Sequence, residues 1–247
     1  MKSFFKLTWM EMKLFLREPQ AAFFTLVFPL ILLFVFGSIY GNKPNPLFGG
    51  FGNVDVSVPS YTGLIIATSG LISIPVVMST YRETGILRRF KVTPLRPLTL
   101  LNADLVVIFI MTALGMALLI LAADIFYGLR FSVSPLNFGL GFILSCLSFF
   151  SLGFILAGFL PTARTAQIVG MAIFFPMIFL SGATLPMEMM PDNIQSISRF
   201  IPLTYVVNLL KGFWFGDTWA QQWPNAVVLF GLMLISLIVS VRVFRWE

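Results

Sequence analysis

Charged side chains fall along this chain in clusters, and the intervals between clusters are long. Six intervals carry no charge: Glu18 to Lys43, Asp55 to Arg82, Asp104 to Asp124, Arg130 to Arg164, Arg164 to Glu188, and Asp217 to Arg242. The hydrocarbon core of a bilayer is ~30 Å thick, which about 20 apolar residues in a helix will cross. The pattern therefore predicts six transmembrane helices, over 20–40, 58–80, 104–124, 137–160, 165–185 and 224–241. Pro29 is expected to kink the first. Pro161 ends the fourth. The second carries Gly63, Ser69, Gly70, Ser73 and Pro75. Small residues let helices approach closely in lipid, so packing is one reading of them and lining a pathway is the other. Asp104 and Asp124 bracket the third span. A carboxylate costs ~2.5–3.5 kcal/mol at the bilayer centre and little at a helix end, so both read as boundary residues.

Three segments outside the spans have their own pattern. In residues 3–17 the cations Lys6, Lys13 and Arg17, with Lys2 just before them, share one helical face. Phe4, Phe5, Leu7, Met12, Phe15 and Leu16 share the other. That is an amphipathic helix lying in the membrane interface. Glu11 sits amid the apolar arc. It reads either as a helix-edge carboxylate paired with a nearby Lys or Arg, or as a contact to a partner protein or to the basic loop that follows span two. Loop 41–57 is rich in Gly, Pro and Asn and reads as irregular. In 186–223, Pro191 is expected to start a helix through Asn193–Phe200. Pro202 breaks it, and a second helix runs Leu203–Phe213. Both are too short to cross and too apolar for a free loop. A re-entrant or interfacial pair fits, because backbone breaks at membrane depth are tolerated only within protein or beside a cavity.

Composition agrees: 58% of the 247 residues are hydrophobic and 11% charged, against roughly 25% charged in soluble domains. No length remains for a soluble domain, so 1–247 reads as a single all-α transmembrane domain. The net charge of +6 reflects topology. Twelve of the sixteen Lys and Arg lie in the N-terminal segment, the loop after span two, the turn after span four and the C-terminal end. Positive charge stays inside, which places both termini in the cytoplasm of a cell-membrane protein and argues against nucleic acid as a partner. The lone Cys146 offers no internal disulfide. The first apolar run reads as a retained anchor, without a cleavable signal.

Candidate chemistry is sparse. The chain has no histidine, which removes His-based catalysis and the commonest metal ligand. One Cys and scattered carboxylates give no metal cluster. No G-x-x-x-x-G-K-[ST] phosphate loop occurs, and the spans lack the interior charges that ion-coupled pumps use. The chain is not expected to be an enzyme or to bind a cofactor. If it moves a solute, the energy comes from another subunit. The loop Tyr81–Pro97 suits such a partner: Arg82, Glu83, Arg88, Arg89 and Lys91 surround Ile86, Leu87 and Phe90. An apolar knob in a charged rim is a usual docking anatomy. A topology-setting basic loop is the simpler reading.

Four stretches, in order, resemble the ABC-2 type permeases, the membrane subunits of ABC exporters: Arg17-Glu18-Pro19; Arg82-Glu83 through Gly85 and Arg88 to Thr93-Pro94-Leu95; Leu180-Ser181-Gly182 with Leu185-Pro186 and Met190-Pro191; and Pro202-Leu203-Thr204-Tyr205. Where the family usually has Thr after the Gly, this chain has Ile86. The resemblance spans nearly the whole length, and its nearest subgroup is the drug- and antibiotic-resistance permeases.

That resemblance implies a pair of permeases, identical or homologous, with two ATPase subunits that carry ATP and magnesium. Residues 1–19 become a connecting helix and 81–97 a coupling helix. Arg82, Glu83, Gly85, Ile86, Leu87, Arg88, Arg89, Phe90 and Glu11 then contact the ATPase. Spans two and five line the path, with Ser69, Ser73, Gln167, Ser181 and Thr184 as its polar points, although helix–helix hydrogen bonding is the simpler role for any of these. Pro186, Pro191, Pro202 and Tyr205 form an extracellular gate. The expected cargo is hydrophobic or amphipathic: a drug, antibiotic, peptide or lipid. A lipid-linked polysaccharide is the rival within the family. A membrane scaffold or sensor without transport is the rival outside it.

Overall fold

The structure is a computed structural model and describes residues 2–86, 97–130, 134–184, 187 and 190–243. All regular structure among them is helical. Helix α1 (Lys2–Arg17) precedes six long apolar helices: α2 (Pro19–Tyr40), α3 (Asn53–Glu83), α4 (Pro97–Tyr127), α5 (Pro135–Phe159), α6 (Ala163–Leu180) and α9 (Trp219–Val243). Two short helices, α7 (Asp192–Ser198) and α8 (Pro202–Trp214), separate α6 from α9. Each of the six is long and apolar enough to cross a bilayer. They alternate in direction. One end of the bundle carries α1, Arg82 and the α5–α6 turn, and the other carries Asp55 and the α7–α8 pair.

The element most enclosed by its own chain is α3. Of its most apolar stretch, 89% is buried, against 17% for α9. Its polar side chains suit that position because they bond back along the helix. Ser60 donates to the Val56 carbonyl at 3.0 Å, Thr62 to Val58 at 2.9 Å and Thr68 to Leu64 at 3.0 Å, which satisfies these three hydroxyls among apolar neighbours. Helix α8 wedges against α3, α5 and α9 and buries Leu203, Val206, Val207, Leu210 and Phe213. The fit is close. A Cβ on Gly141 of α5 would lie 2.7 Å from the Phe213 ring.

Two of the helices contain a π turn, each placed just before a proline: Phe23–Val27 ahead of Pro29 in α2, and Ser69–Ser73 ahead of Pro75 in α3. Proline has no N–H and clashes with the carbonyl four residues back, which is Thr25 in the first case and Leu71 in the second. The widened turn absorbs the clash. A glycine on a neighbouring helix meets each displaced carbonyl. A Cβ at Gly115 of α4 would lie 2.7 Å from the Thr25 oxygen, and one at Gly170 of α6 would lie 2.5 Å from that of Leu71. Gly153 of α5 approaches the Gly70 carbonyl in the same way, with 2.2 Å for its virtual Cβ. Gly63 and Gly70 of span two pack closely too, with 3.1 Å and 2.6 Å for their virtual Cβ atoms against Val207 and the Phe149 carbonyl.

Span limits differ from expectation where proline starts a helix. Pro97 is the first residue of α4, a position where the missing N–H is harmless. The helix therefore begins seven residues before the expected 104. Asp104 is inside it, about 10 Å from its start. Asp124, near the other end, is exposed as expected. Helix α9 begins at Trp219 and holds Pro224 within it.

At the end away from α1, buried Asp55 ties three segments together. Its carboxylate accepts from Asn42 Nδ2 at 2.9 Å, from the Gly52 amide at 2.8 Å and from the Arg130 amide at 2.9 Å. The Asn42 amide oxygen accepts in return from the Asp55 N–H at 3.2 Å. A carboxylate in the first turn of α3 also complements the helix dipole.

Candidate functional site

The residues singled out after span two converge at the end of α3. Gly85, with φ of 69°, terminates that helix. The Thr84 amide donates to the Thr80 carbonyl at 2.9 Å and the Gly85 amide to the Arg82 carbonyl at 3.1 Å. A left-handed residue after a helix favours glycine. The two residues just before the stop point sideways into the α5–α6 turn. Arg82 donates from Nη2 to the Ala157 carbonyl at 2.8 Å and from Nη1 to the Leu160 carbonyl at 3.3 Å. Ser79 adds a bond to Leu160 O at 3.0 Å. These carbonyls close α5 and have no partner within the helix, and a cation is favoured there. Glu83 Oε2 accepts from the Ala163 amide, the first N–H of α6, at 3.0 Å. The Thr165 amide donates to Thr162 Oγ1 at 3.2 Å. One adjacent Arg-Glu pair thus holds the end of one span and the start of the next, each by the charge its helix terminus attracts.

The same end of α3 meets α1. Tyr81 donates its hydroxyl to Asp104 Oδ1 at 3.0 Å, and Glu11 lies within hydrogen-bonding reach of both. Asp104 is 3% exposed. Burial pushes the Glu11 carboxyl above its usual range, and the Tyr81 hydroxyl and Asp104 act against that shift. Burial also raises Glu18. Glu11 is thus engaged within its own chain. The partners it meets are Tyr81 and Asp104, and the carboxyls of Glu11, Glu18 and Asp104 border one cavity of about 200 Å³.

The remaining candidates are dispersed. Ser69 is buried and lies 2.7 Å from Thr112 Oγ1. Because Thr112 donates to the Ile108 carbonyl at 2.7 Å, Ser69 is the donor between them, and the pair is a helix–helix bond. Ser73 and Ser181 are buried, and their hydroxyls have no hydrogen-bond partner among the described residues. Thr184 donates to the Ile178 carbonyl at 3.2 Å, and Gln167 of α6 bonds Gln20 of α2. Helix α6 buries Ala166, Gly170, Phe174 and Ile178 on one face. Its opposite face leaves Ile168, Phe175 and Phe179 exposed.

Pro191 precedes α7 and Pro202 opens α8. Between them, Thr204 donates to the Ser198 carbonyl at 2.8 Å and Tyr205 to the Arg199 carbonyl at 2.6 Å. The Pro-Leu-Thr-Tyr stretch is therefore the clasp between the two short helices. Ile86 is at the edge of the described chain. Leu87, Arg88, Arg89, Phe90, Pro186 and the rest of the expected coupling helix lie outside the described residues.

Sequence reasoning missed Tyr81 and Ser79 as site residues and gave Asp104 no part in the site. The available signal was Pro97: a proline at the first helical position moves Asp104 into the third turn.

Comparison with known proteins matches residues 2–215 to a family described as ABC-2 type transporter. A putative transport permease, ycf38, of Porphyra purpurea is 25% identical over 92% of this chain and 79% of its own length. The putative transport permease YvfS of Bacillus subtilis (strain 168) is 23% identical over 95% and 94%. The probable multidrug ABC transporter permease YbhR of Escherichia coli (strain K12) is 26% identical over 69% of this chain and 48% of its own length.

Proposed function

This chain belongs to the ABC-2 type transporter family, as a membrane subunit, and from that premise we propose that it is the permease of an ATP-driven exporter in the cell membrane. A separate pair of ATPase subunits binds ATP and magnesium, and a second permease, identical or homologous, completes the complex. Both termini and the Arg82 end of the bundle face the cytoplasm. The cargo is hydrophobic or amphipathic, consistent with the apolar exposed face of α6 and with the multidrug permease among its relatives.

The observation that carries this reading is the junction at Arg82 and Glu83. A partner docking on the loop that begins at Gly85 pushes on the end of α3. Through Arg82 and Glu83 it pushes at the same time on the α5–α6 turn. Helix α3 continues through its π turn to the far end, where Asp55 holds the loops. Docking there therefore acts on spans two, four and five together, as an alternating-access device requires.

The test is to tag the chain, extract it gently with crosslinking, and identify what copurifies by mass spectrometry. A P-loop ATPase in stoichiometric amount is the expected result, and a second permease sequence in the sample would make the pair a heterodimer. Recovery of this chain alone under several detergents would remove the energy source and with it the export reading, leaving a membrane scaffold or sensor.

A further inference from the structure

Helix α1 sits at the depth where water meets hydrocarbon. Its last residue, Arg17, stands two positions before Pro19, where the first span begins. Its middle packs on the opening turns of α4, where Glu11 reaches Asp104. Leu7, Met12 and Phe15, expected from the sequence on the apolar face, are turned toward the bundle. The side left outward has a different character. Trp9 is 60% exposed and Met10 59%, and Leu14 and Leu16 are exposed beside them. Lys6, Lys13 and Arg17 are exposed on the same side. At 3.6 residues per turn the three cations form its central stripe, with Trp9 and Leu16 on one flank and Met10 and Leu14 on the other. Lys13 Nζ stands 5.3 Å from the centre of the Trp9 ring, within cation–π range. Glu11 is the one carboxylate in residues 1–17, and it is turned inward to Tyr81 and Asp104. The outward side therefore carries cations and no carboxylate of its own.

We propose that this side of α1 binds the phosphates of anionic phospholipids. Depth and charge complementarity together choose this occupant. Headgroup phosphates lie at the depth where α1 packs, and tryptophan favours the same level. Lys and Arg stems cover apolar surface while their charged ends reach outward, so the apolar flanks meet acyl chain and headgroup while the central stripe meets phosphate. Each cation near an anionic surface adds an attraction that zwitterionic lipid does not supply. A protein partner fits the arrangement less well, because the centre of a protein interface is depleted in Lys and here the cations occupy the centre. Phosphates on this side hold α1 from without, as Phe15 and Met12 hold it from within.

The inference needs only a chain that spans a bilayer, and its test contains no ATPase, so it stands or falls apart from the export reading. Benzoylphenylalanine is placed at Met10 of the full chain, in nanodiscs of equal phosphatidylcholine and phosphatidylglycerol with identical acyl chains. Lipid adducts formed on illumination are counted by mass spectrometry. Phosphatidylglycerol adducts are expected to exceed phosphatidylcholine adducts about fivefold, the factor that one cation at an anionic surface supplies. The excess is expected to vanish in ~1 M salt, where the Debye length is about 3 Å, and in the combined variant Lys6→Gln, Lys13→Gln, Arg17→Gln. The salt arm keeps all three cations, so a folding defect in the combined variant does not shelter the proposal. The same probe at Leu140 of α5, exposed on another helix, is the control and is expected to label both lipids equally. Equal labelling at Met10, an excess that survives either salt or the substitutions, the same excess at Leu140, or adducts with protein in place of lipid in native membrane vesicles would each overturn the proposal.

Discussion

Replacing Gly170 with alanine tests whether the π turn of α3 sets the distance between spans two and five. The added Cβ would lie 2.5 Å from the Leu71 carbonyl oxygen, whereas ordinary contact begins at 3.4 Å. The obstacle is backbone, held in place by Pro75 on one side and by the packing of Gly153 on Gly70 on the other, so it cannot swing aside. Helix α6 must then withdraw by roughly 0.9 Å. A gap of that size forfeits a quarter to a half of the dispersion energy along the buried face of Ala166, Phe174 and Ile178. Overpacking of this kind costs ~1–3 kcal/mol, and the helix propensity gained over glycine returns up to ~1 kcal/mol. With a backbone clash at the high end of that range, the net loss is about 2 kcal/mol, or roughly 4–8 °C in midpoint for a chain of this size. Thermal unfolding in nanodiscs, followed by tryptophan fluorescence, measures it. Gly139→Ala is the internal control, because its Cβ would meet nothing within 4 Å, and it is expected to be neutral or slightly stabilising. Equal midpoints for the two variants would refute the packing argument.

Glu83→Ala is expected to leave the protein inserted and ATPase-bound while uncoupling hydrolysis from transport, because the Ala163 amide loses its acceptor; wild-type coupling ratios in proteoliposomes would remove the junction from the mechanism. Asp55→Ala strands the Gly52 and Arg130 amides and the Asn42 side chain, a loss of about 2–4 kcal/mol; an unfolding midpoint equal to wild type would contradict it. Docking of α1 raises Glu11 above its ordinary value, so the protonated form favours the docked helix. That contribution is complete below the ordinary Glu range and is lost as pH climbs through the raised value. A spin label at exposed Lys13 should gain mobility over that rise, and the rise should vanish in Glu11→Gln; mobility flat with pH in the parent protein would count against it. Cysteine placed at exposed Asn193 should react with an impermeant maleimide from outside the cell, with buried Cys146 silent; reaction only after permeabilisation would invert the proposed topology.

The sequence by itself determined the class of this protein. Six charge-free runs have few alternatives once the bilayer is the solvent, because backbone polar groups in hydrocarbon must be satisfied within the helix. The amphipathic first helix and the proline-divided pair before the last span were equally legible, since periodicity and helix breaks are local properties. The ordered Arg-Glu, Leu-Ser-Gly and Pro-Leu-Thr-Tyr stretches pointed to the family, which the match over residues 2–215 shows.

Only the tertiary structure decided what the polar residues do. Span two is read alike whether it faces lipid, a path or its own chain, and its enclosure depends on the helices packed around it. Arg82 and Glu83 were legible as charges in a basic loop, but their acceptor and donor are backbone groups 75 and 80 residues away, which no local pattern encodes. Glu11 looked like an exception on an apolar arc. It became intelligible once α4 was seen to begin at Pro97 and to carry Asp104 into the same cavity. Hydropathy reports which residues leave water, and the pairing of buried polar groups is settled afterwards, by which helices come close enough for a donor to reach an acceptor.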